Sequence, residues 1–485
     1  MDLLSGFGIL AVILTLSALL AGIVERAPLS FPMLFLGIGL LLGPRFVDVL
    51  RLGPHAPALE IVATLTLALV LFLDGINLEL AGKRRDWLAP VLALGPGTLV
   101  TAGVIGLGAT WLLDLDLLPA LALGVVLSST DPVVLRDVVR DARVPGSIRH
   151  ALSVEAGMND IVVLPALLVL LALITRDIAG PAEWLSFVAR IFVLGPAVGF
   201  VVGAVGSWLI ERADAAFGIR REYQSLYGLG LVLGAYGAGV AVGGDGFLAA
   251  FAAGASITAL NRTLCDCFLE FGHAAAEMTM LLAFVLFGAV LSTLTDAVAP
   301  LPSLALGIVA ILVARPLVIA ALLSLRPVAM SRSARVFIAW FGPRGLNSLL
   351  FALILVQRGV PGGERLLAAT GAVVVISVVL HGASATPAAA AYARRLQRET
   401  LEEERASTAT ELFRLSPDDA PRMSTEELAS RLAGPSPPIV IDVRSRSRAG
   451  PDPSPIPGSI RVPPDEVAEW GQEHLPERAV VLACT

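Results

Sequence analysis

Apolar stretches long enough to cross a lipid bilayer recur between residues 3 and 386, separated by short loops that carry arginine. A helix needs about 20 apolar residues to span the hydrocarbon core, and lipid leaves no other partner for its backbone polar groups. The 485 residues are 56% hydrophobic and 16% charged, whereas a soluble domain carries about 25% charge. The sequence therefore predicts an all-α, polytopic membrane protein with about 13 transmembrane helices.

The distribution of basic residues predicts the orientation of these spans. If the spans alternate from the first one, which covers residues 3–24, one set of loops has roughly three times as many basic residues as the other. We expect the N-terminus outside and the C-terminus in the cytoplasm, across the plasma (inner) membrane. The first span lacks a basic region before it, so we expect it to be kept rather than cleaved. The predicted spans are 3–24, 30–43, 58–76, 88–112, 117–139, 149–174, 186–210, 224–242, 246–260, 273–293, 302–325, 335–357 and 366–386.

The composition changes near Arg394, where the apolar runs end. Residues 391–421 form a charged and then proline-rich segment, which predicts a cytoplasmic linker. Residues 422–485 alternate short β-branched runs with a helix-like run, which predicts a small α/β domain. We therefore divide the chain into a transmembrane domain over 1–390, the linker, and a cytoplasmic domain over 422–485.

An acidic cluster lies inside one of the apolar runs, in S-V-E-A-G-M-N-D at residues 153–160. Ionisable groups at membrane depth are costly and mark ion or proton pathways. Glu155 and Asn159 are four residues apart and share a helix face, with Asp160 on the adjacent face. A carboxylate such as Asp160 can hold a cation or a proton, and competition between the two couples their movements. The alternative is a carboxylate neutralised by a nearby arginine, without a transport role.

Two apolar runs are interrupted at comparable places, by S-S-T-D-P at 128–132 and by G-P-R-G at 342–345. Proline breaks a helix, and broken helices at membrane depth point to transport sites. Carbonyl groups freed near Thr130 are candidate cation ligands. The embedded Arg344 needs an acidic partner, for which we prefer Glu155 and place Asp131 second. Asp74, at the end of another span, is either a cation ligand or an interfacial residue.

Five motifs together resemble the monovalent cation–proton antiporter-1 family, of the NhaP/NHE type. The resemblance covers roughly residues 1–390. It implies an NhaA-like inverted repeat with two crossing discontinuous helices, and a homodimer. The motifs are F-L-D-G (72–75), S-S-T-D-P-V (128–133), S-V-E-A-G-M-N-D (153–160), G-F-L-A-A-F-A-A-G (246–254) and G-P-R-G (342–345).

The resemblance also implies roles for individual residues. Asp160 would exchange cation for proton, and Asn159 beside it would mark electroneutral one-for-one exchange. Glu155 and Arg344 would form a buried structural ion pair. Ala156 departs from the pattern, because the family commonly has serine there as a cation ligand. The residues expected to hold the transported cation are Asp160, Thr130, Asp74 and Asp131.

The C-terminal segment resembles the first part of a rhodanese domain. The motifs are S-T-E-E-L (424–428), I-V-I-D-V-R-S (439–445), I-P-G-S-I-R-V-P (456–463) and V-V-L-A-C-T (480–485). The last motif places Cys484 at the position of the family's persulfide-forming cysteine. Because the chain stops one residue later, we expect an incomplete domain without sulfurtransferase activity.

These observations predict a secondary antiporter that exchanges sodium, or alternatively potassium, for protons by alternating access. We expect no bound cofactor and no nucleic-acid partner; the partners are the two ions, membrane lipid and a second copy of the chain. The alternatives are a channel on the same scaffold, a potassium–proton exchanger regulated by the tail, and a membrane-tethered sulfurtransferase or sulfur-sensing protein.

Overall fold

The computed structural model describes residues 30–78 and 87–396, apart from 142, 177, 179, 261 and 326–329. It also describes residues 423–434, 437–444, 458–464, 466–467, 470–471 and 479–483, and a few single positions. The first predicted span and most of the linker lie outside these residues. Over the described residues the transmembrane domain is helical, which confirms the predicted class.

Helices occupy each of the predicted spans after the first. In the first half of the domain they are Phe31–Leu42 (α1), Pro57–Ile76 (α2), Leu88–Leu112 (α3), Leu117–Val126 (α4), Pro132–Val139 (α5), Gly146–Thr175 (α6) and Pro181–Phe217 (α7). In the second half they are Arg221–Ala241 (α8), Gly246–Leu260 (α9), Arg262–Thr293 (α10), Pro300–Leu322 (α11), Arg332–Trp340 (α12), Leu346–Gln357 (α13) and Gly363–Leu396 (α14). Seven of the described helices are long and apolar enough to cross a membrane.

Proline residues shape several of these helices. Helices α1, α2 and α5 have proline in their first turn, where its missing N–H costs nothing and its fixed φ suits a helix. Three longer helices each contain one π-helical turn, at Ala93–Gly97, Arg190–Leu194 and Val309–Ala314. Each turn contains a proline or ends two residues before one, and the proline ring displaces the carbonyl of the preceding turn and widens the helix locally.

Two spans are broken midway, as the sequence predicts. Between α4 and α5 the helix is interrupted at residues 127–131, and between α12 and α13 at residues 341–345. The backbone leaves helical geometry at Asp131 (φ −104°, ψ 116°) and at Phe341 (φ −80°, ψ 91°). Both positions stand just before proline or close to it, where helical geometry is disfavoured.

The helices form two groups. Helices α1, α2 and α7–α10 pack on one another through close glycine contacts, and we call them the glycine-packed group. A Cβ added at Gly199 or Gly203 of α7 would collide with the backbone of α9, and one at Gly254 of α9 would collide with α2. These glycines of α7 therefore serve helix packing.

The remaining helices, α3–α6 and α11–α14, surround the two breaks and form the crossing group. Within it, α4 packs on α3 and α6, and α14 packs on α5 and α13. The two groups meet where α13 and α14 lie against α1, α2 and α10. Buried aromatic and aliphatic side chains such as Phe284, Phe287 and Phe351 fill this contact.

The C-terminal segment contains one short helix, Thr425–Leu432 (α15), and three strands. The strands Ile439–Asp442 (β1), Ile460–Arg461 (β2) and Val480–Ala483 (β3) form a parallel sheet in the order β2-β1-β3. β1 is central, and its Ile441 packs with Val443 and Val462 in a small apolar core. The sheet agrees with the predicted α/β character of this segment.

Candidate functional site

Asp131 joins the two broken helices where they cross. Its Oδ1 accepts a hydrogen bond from the Val133 backbone N–H at 2.8 Å, which caps the start of α5. Its Oδ2 accepts from the Leu346 N–H at 2.7 Å, which caps the start of α13. Its own N–H donates to the Pro343 carbonyl at 2.9 Å. Gly345 packs so closely on the carboxylate that a Cβ there would collide with it.

One negative charge thus serves two positive helix N-termini. The sequence predicted Asp131 as a cation ligand or as the second choice of partner for Arg344. The structure instead engages both of its carboxylate oxygens with backbone amides. Asp131 is thus a capping residue that fixes the crossing, and its expected role as a cation ligand stays a prediction.

Two buried arginines serve the opposite, negative ends of the broken helices. Nη1 of Arg344 donates to the Ser129 carbonyl at 3.3 Å, beyond the end of α4. Nη2 of Arg315 donates to the Phe341 carbonyl at 2.8 Å, at the end of α12. Guanidinium groups at these positions offset the exposed carbonyls of each half-helix. The crossing is therefore neutralised at all four helix ends.

The predicted Glu155–Arg344 ion pair is wrong, because Glu155 pairs with Arg315. The two side chains form a bidentate pair, with one contact at 3.0 Å between Arg315 Nη2 and Glu155 Oε2 and a second between Nη1 and Oε1. They are only 4% and 2% exposed. Gly342 makes this possible, since a Cβ there would collide with the Arg315 guanidinium. Arg344 lies at the other break, where its Nη1 donates to the Ser129 carbonyl.

Sequence reasoning missed Arg315 as the partner of Glu155, although the sequence contains a signal for it. An arginine inside an apolar run needs an acidic partner, and the Arg315-Pro316 dipeptide stands in such a run. Glu155 is one of few acids at comparable depth. Only the position of α11, which packs on α3 and α12, decides which of the two arginines reaches Glu155.

Asp160, the predicted exchange residue, is 1% exposed and lies directly at the crossing. Its Oδ1 accepts from the Ser129 hydroxyl at 2.9 Å, and its Oδ2 accepts from Asn347 Nδ2 at 2.6 Å. Among the residues that the structure describes, no basic side chain forms an ion pair with it. Its partners are neutral, so a cation or a proton is free to supply the positive charge.

Among the described residues, three buried side-chain oxygens beside the site have no hydrogen-bond partner. Each belongs to a residue that adjoins Asp160 or one of its two hydrogen-bond donors in the chain. They belong to Asn159, Thr130 and Ser348. Nδ2 of Asn159 donates to the Thr98 hydroxyl at 2.9 Å, which leaves its Oδ1 free. Buried polar atoms without partners are uncommon, and each calls for an explanation. Free oxygens are what a hard cation uses as ligands.

Asp74, the other predicted ligand, reaches the same region from α2. Its Oδ1 lies 3.7 Å from the position that a Cβ on Gly157 would take. Gly157 is on α6, three residues before Asp160. The structure therefore brings the end of α2 against the acidic cluster, and the partly buried Asp74 faces α6 rather than a helix surface remote from it.

A cavity of about 150 Å³ lies between α5 and α6, next to Ala156. Its walls include Pro132, Arg136, Ser153 and Ala156. Ala156 is 2% exposed and presents a methyl group where the family pattern has a hydroxyl. The cavity is large enough for several water molecules. Water oxygens therefore have room beside Ala156, where the family pattern supplies a serine oxygen.

The remaining predicted site residue, Cys484, lies outside the described residues, as do residues 456 and 457 of the motif at 456–463. Glu466 of the C-terminal segment is described, and its Oε1 pairs with Arg149 Nη2 at 3.0 Å. Arg149 stands in the first turns of α6, the helix that carries the acidic cluster.

The chain is similar to several known proteins. The family model of the sodium/hydrogen exchanger transmembrane domain matches residues 12–391. Similar curated proteins are the K(+)/H(+) antiporter NhaP of Alkalimonas amylolytica, 27% identical over 386 residues, and the K(+)/H(+) antiporter NhaP2 of Shewanella sp. (strain ANA-3), 28% identical over 387 residues. Each alignment covers 79% of this chain and 66% of the relative. The chain thus spans just under two thirds of the length of these relatives.

A similar solved structure is that of the sodium proton antiporter MjNhaP1 from Methanocaldococcus jannaschii at pH 8. The TM-score is 0.64 at 20% sequence identity, and the match covers 81% of this chain and 100% of the other. At that identity the likeness establishes a shared fold.

Proposed function

Because this chain belongs to the sodium/hydrogen exchanger family, we propose that it is a secondary antiporter that exchanges a monovalent cation for protons. One observation carries the proposal: Asp160 is buried at the crossing of two broken helices and, among the described residues, is held by neutral donors alone. A buried carboxylate without a basic partner favours a bound proton or a bound cation over the bare anion. That is the property an exchange site requires.

The exchange follows from competition at Asp160. When the carboxylate is protonated, it needs no cation, and the Ser129 and Asn347 contacts can be kept with one oxygen acting as donor. When the proton leaves, a cation takes its place, and the free oxygens of Asn159 and Thr130 are available to complete its shell. Asp74, facing α6, adds a carboxylate near the approach to the site. Each turn of the cycle then moves one positive charge in each direction.

We further propose that exchange is electroneutral. Asn159 is neutral and is already bonded to Thr98, so Asp160 is the one carboxylate of the Asn-Asp pair that can lose a proton. Replacing one proton by one monovalent cation leaves the charge of the site unchanged. A membrane potential then exerts no net force on the exchange.

The identity of the cation follows less directly from the site. The motifs favour sodium, whereas the curated relatives carry K(+)/H(+) in their names. Ala156 withholds an oxygen ligand and borders a cavity. Fewer fixed protein ligands and more room suit a larger cation of lower charge density, and this supports potassium alongside sodium.

The proposal extends to the assembly and placement of the chain. The bias of basic residues supports an N-terminus outside the cell and a C-terminus in the cytoplasm. The glycine-packed group has a wide apolar outer face, with Val193, Phe200 and Trp208 exposed on α7, and we propose that lipid and a second copy of the chain cover it. The two broken helices fit an inverted repeat.

For the C-terminal residues 422–485 we propose a rhodanese-like domain, joined by the linker over 391–421. The parallel order β2-β1-β3 supports an α/β fold of this kind. The comparisons give no support to a sulfurtransferase as the activity of the chain, so we assign the tail no catalytic role here.

Transport in vesicles tests the proposal. Everted vesicles or proteoliposomes that contain the whole chain would be challenged with sodium, potassium or lithium between about pH 6 and 9, with and without an imposed voltage. We expect collapse of the pH gradient by at least one cation, at a rate that voltage does not alter. A rate that follows voltage would contradict electroneutrality, and cation movement without proton movement would favour a channel.

A further inference from the structure

An ion pair bridges the two helix groups close to the exchange site. Arg136 stands in the last turn of α5, in the crossing group, and Glu277 stands on α10, in the glycine-packed group. Nη1 of Arg136 lies 3.2 Å from Glu277 Oε1 and 3.3 Å from Oε2. The two residues are 141 positions apart in the chain, so the pair is a contact between the groups and not a local feature of one helix.

The position of Arg136 connects it to the site. It lies one helical turn after Pro132, the first residue of the helix that Asp131 caps. Its side chain also lines the cavity that extends to Ala156. Any movement of the crossing group relative to α10 therefore has to break or remake this pair.

The strength of the pair suits a contact that opens repeatedly. Its side chains are 34% and 35% exposed, in contrast to the fully buried Glu155–Arg315 pair. A partly solvated pair is stabilised modestly, since water competes for both charges and screens them. Buried aromatic and aliphatic side chains fill much of the remaining contact between the groups. Apolar packing of this kind tolerates sliding, whereas an ion pair has a preferred geometry.

We propose that the Arg136–Glu277 pair is a latch between the two helix groups, closed in the conformation described here and opened once in each exchange cycle. The inference rests on the proposed antiport, because a latch has meaning only if the groups move to expose the site alternately. It assigns both residues a positioning role, without contact to the transported ions.

Matched variants test the latch in proteoliposomes. Arg136→Gln and Glu277→Gln each remove the pair, and we expect both to raise the exchange rate by up to about fivefold, in line with a partly exposed ion pair. The charge-swapped variant Arg136→Glu/Glu277→Arg restores an attractive pair and should return the rate toward that of the wild type. Arg143→Gln serves as the control, because Arg143 pairs with Asp141 in its own loop and its loss removes the same charge without touching α10.

A reversible cross-link provides a second readout. Two long paired side chains hold their backbones farther apart than one disulfide spans, so the cross-link needs a spacer. In a chain with Cys265, Cys267 and Cys484 replaced by serine, the variant Arg136→Cys/Glu277→Cys should lose most of its exchange when a bifunctional methanethiosulfonate reagent bridges the two thiols, and recover it with a thiol reductant. Bridged protein that exchanges at the rate of the reduced protein would overturn the latch. Single variants with wild-type rates, or with opposite effects, would overturn it as well, the latter pointing to a charge effect on the cation.

The failure of the latch and the failure of the proposed function are distinguishable. Asp160→Asn, measured in the same vesicles, reports on the function alone. If Asp160→Asn abolishes exchange while the cross-linked protein still exchanges, the latch is wrong and the antiport stands. If Asp160→Asn exchanges like the wild type, the proposed function fails first.

Discussion

The break between α4 and α5 and the acidic stretch of α6 each place one aspartate in the same buried crossing, and the two aspartates differ in what holds them. Asp131 accepts hydrogen bonds from backbone N–H groups of two helices. Asp160 accepts from a hydroxyl and a carboxamide of side chains. Backbone amides at helix ends cannot turn away without unwinding the helix, whereas side chains can. The first carboxylate is therefore committed to structure, and the second is free to change its partner.

The largest effect that we expect from this difference is on transport. Asp160→Asn keeps the shape and the buried hydrogen bonds but removes the titratable group. We predict complete loss of cation-dependent proton movement with a normal yield of folded protein, measured as pH-gradient collapse and as elution on size exclusion. Exchange at the wild-type rate would show that the carboxylate held by side chains is not the exchange site.

The next largest effect concerns the arginines. Arg315→Met leaves Glu155 buried without its partner, which costs about 3–5 kcal/mol when one member of a buried pair is removed. We predict a lower midpoint of thermal unfolding in detergent, with partial recovery in Glu155→Gln/Arg315→Met. Arg344→Met serves as the matched variant: if it destabilises the protein as Arg315→Met does and the Glu155→Gln background rescues it, the assignment of Arg315 as the partner is wrong.

Loss of the shared cap should have a smaller but distinct effect on stability. Asp131→Ala removes the cap of two buried helix ends, at about 1 kcal/mol or somewhat more for each. We predict a decrease of about 2–4 kcal/mol in the free energy of unfolding, with Asp131→Asn intermediate because a carboxamide has one acceptor oxygen. Thermal unfolding measures both. A stable Asp131→Ala protein without exchange would instead make Asp131 a functional residue like Asp160.

In the C-terminal segment, Asp442 is a third kind of carboxylate, because it is paired with two arginines. Burial acts to raise its pKa, but hydrogen bonds from Arg444 and the charge of Arg461 hold the pKa below its usual value. A group with a lowered pKa in the folded state contributes stability above its unfolded pKa, near 4, and loses it as pH falls.

We therefore predict that the tail loses protection against proteolysis on acidification below about pH 4, and that Asp442→Asn weakens this dependence. Limited proteolysis of the whole chain at a series of pH values, with an acid-tolerant protease, measures it. Equal sensitivity of wild type and variant to the protease at every pH would show that Asp442 does not cause the pH dependence.

The sequence was sufficient for those features that depend on local pattern. The positions of the helices followed from apolar length, and the two breaks followed from Pro132 and Pro343. The approach of Asp160 to the first break, shown by its hydrogen bond with Ser129, followed from the polar residues that stand at that break. The role of Asp131 was also within reach, because an aspartate directly before a proline is a typical helix cap.

What could not be predicted depends on packing between distant helices. The choice between Arg315 and Arg344 as the partner of Glu155 is decided by the space that Gly342 leaves beside α11. The contact between Arg136 and Glu277 depends on how the two helix groups lie against each other. Neither contact can be recognised from the positions of its two residues in the sequence.

The shared cap at Asp131 has a consequence for biosynthesis. Leu346, whose N–H it binds, comes 215 residues later in the chain. At a synthesis rate of about 5–20 residues per second, that gap corresponds to about 10–40 seconds. During this interval one oxygen of Asp131 lacks its native donor, and the first broken helix is already made. The first half of the protein must therefore wait in the membrane with its crossing incomplete, and the ribosome has to deliver the second half before the fold can close.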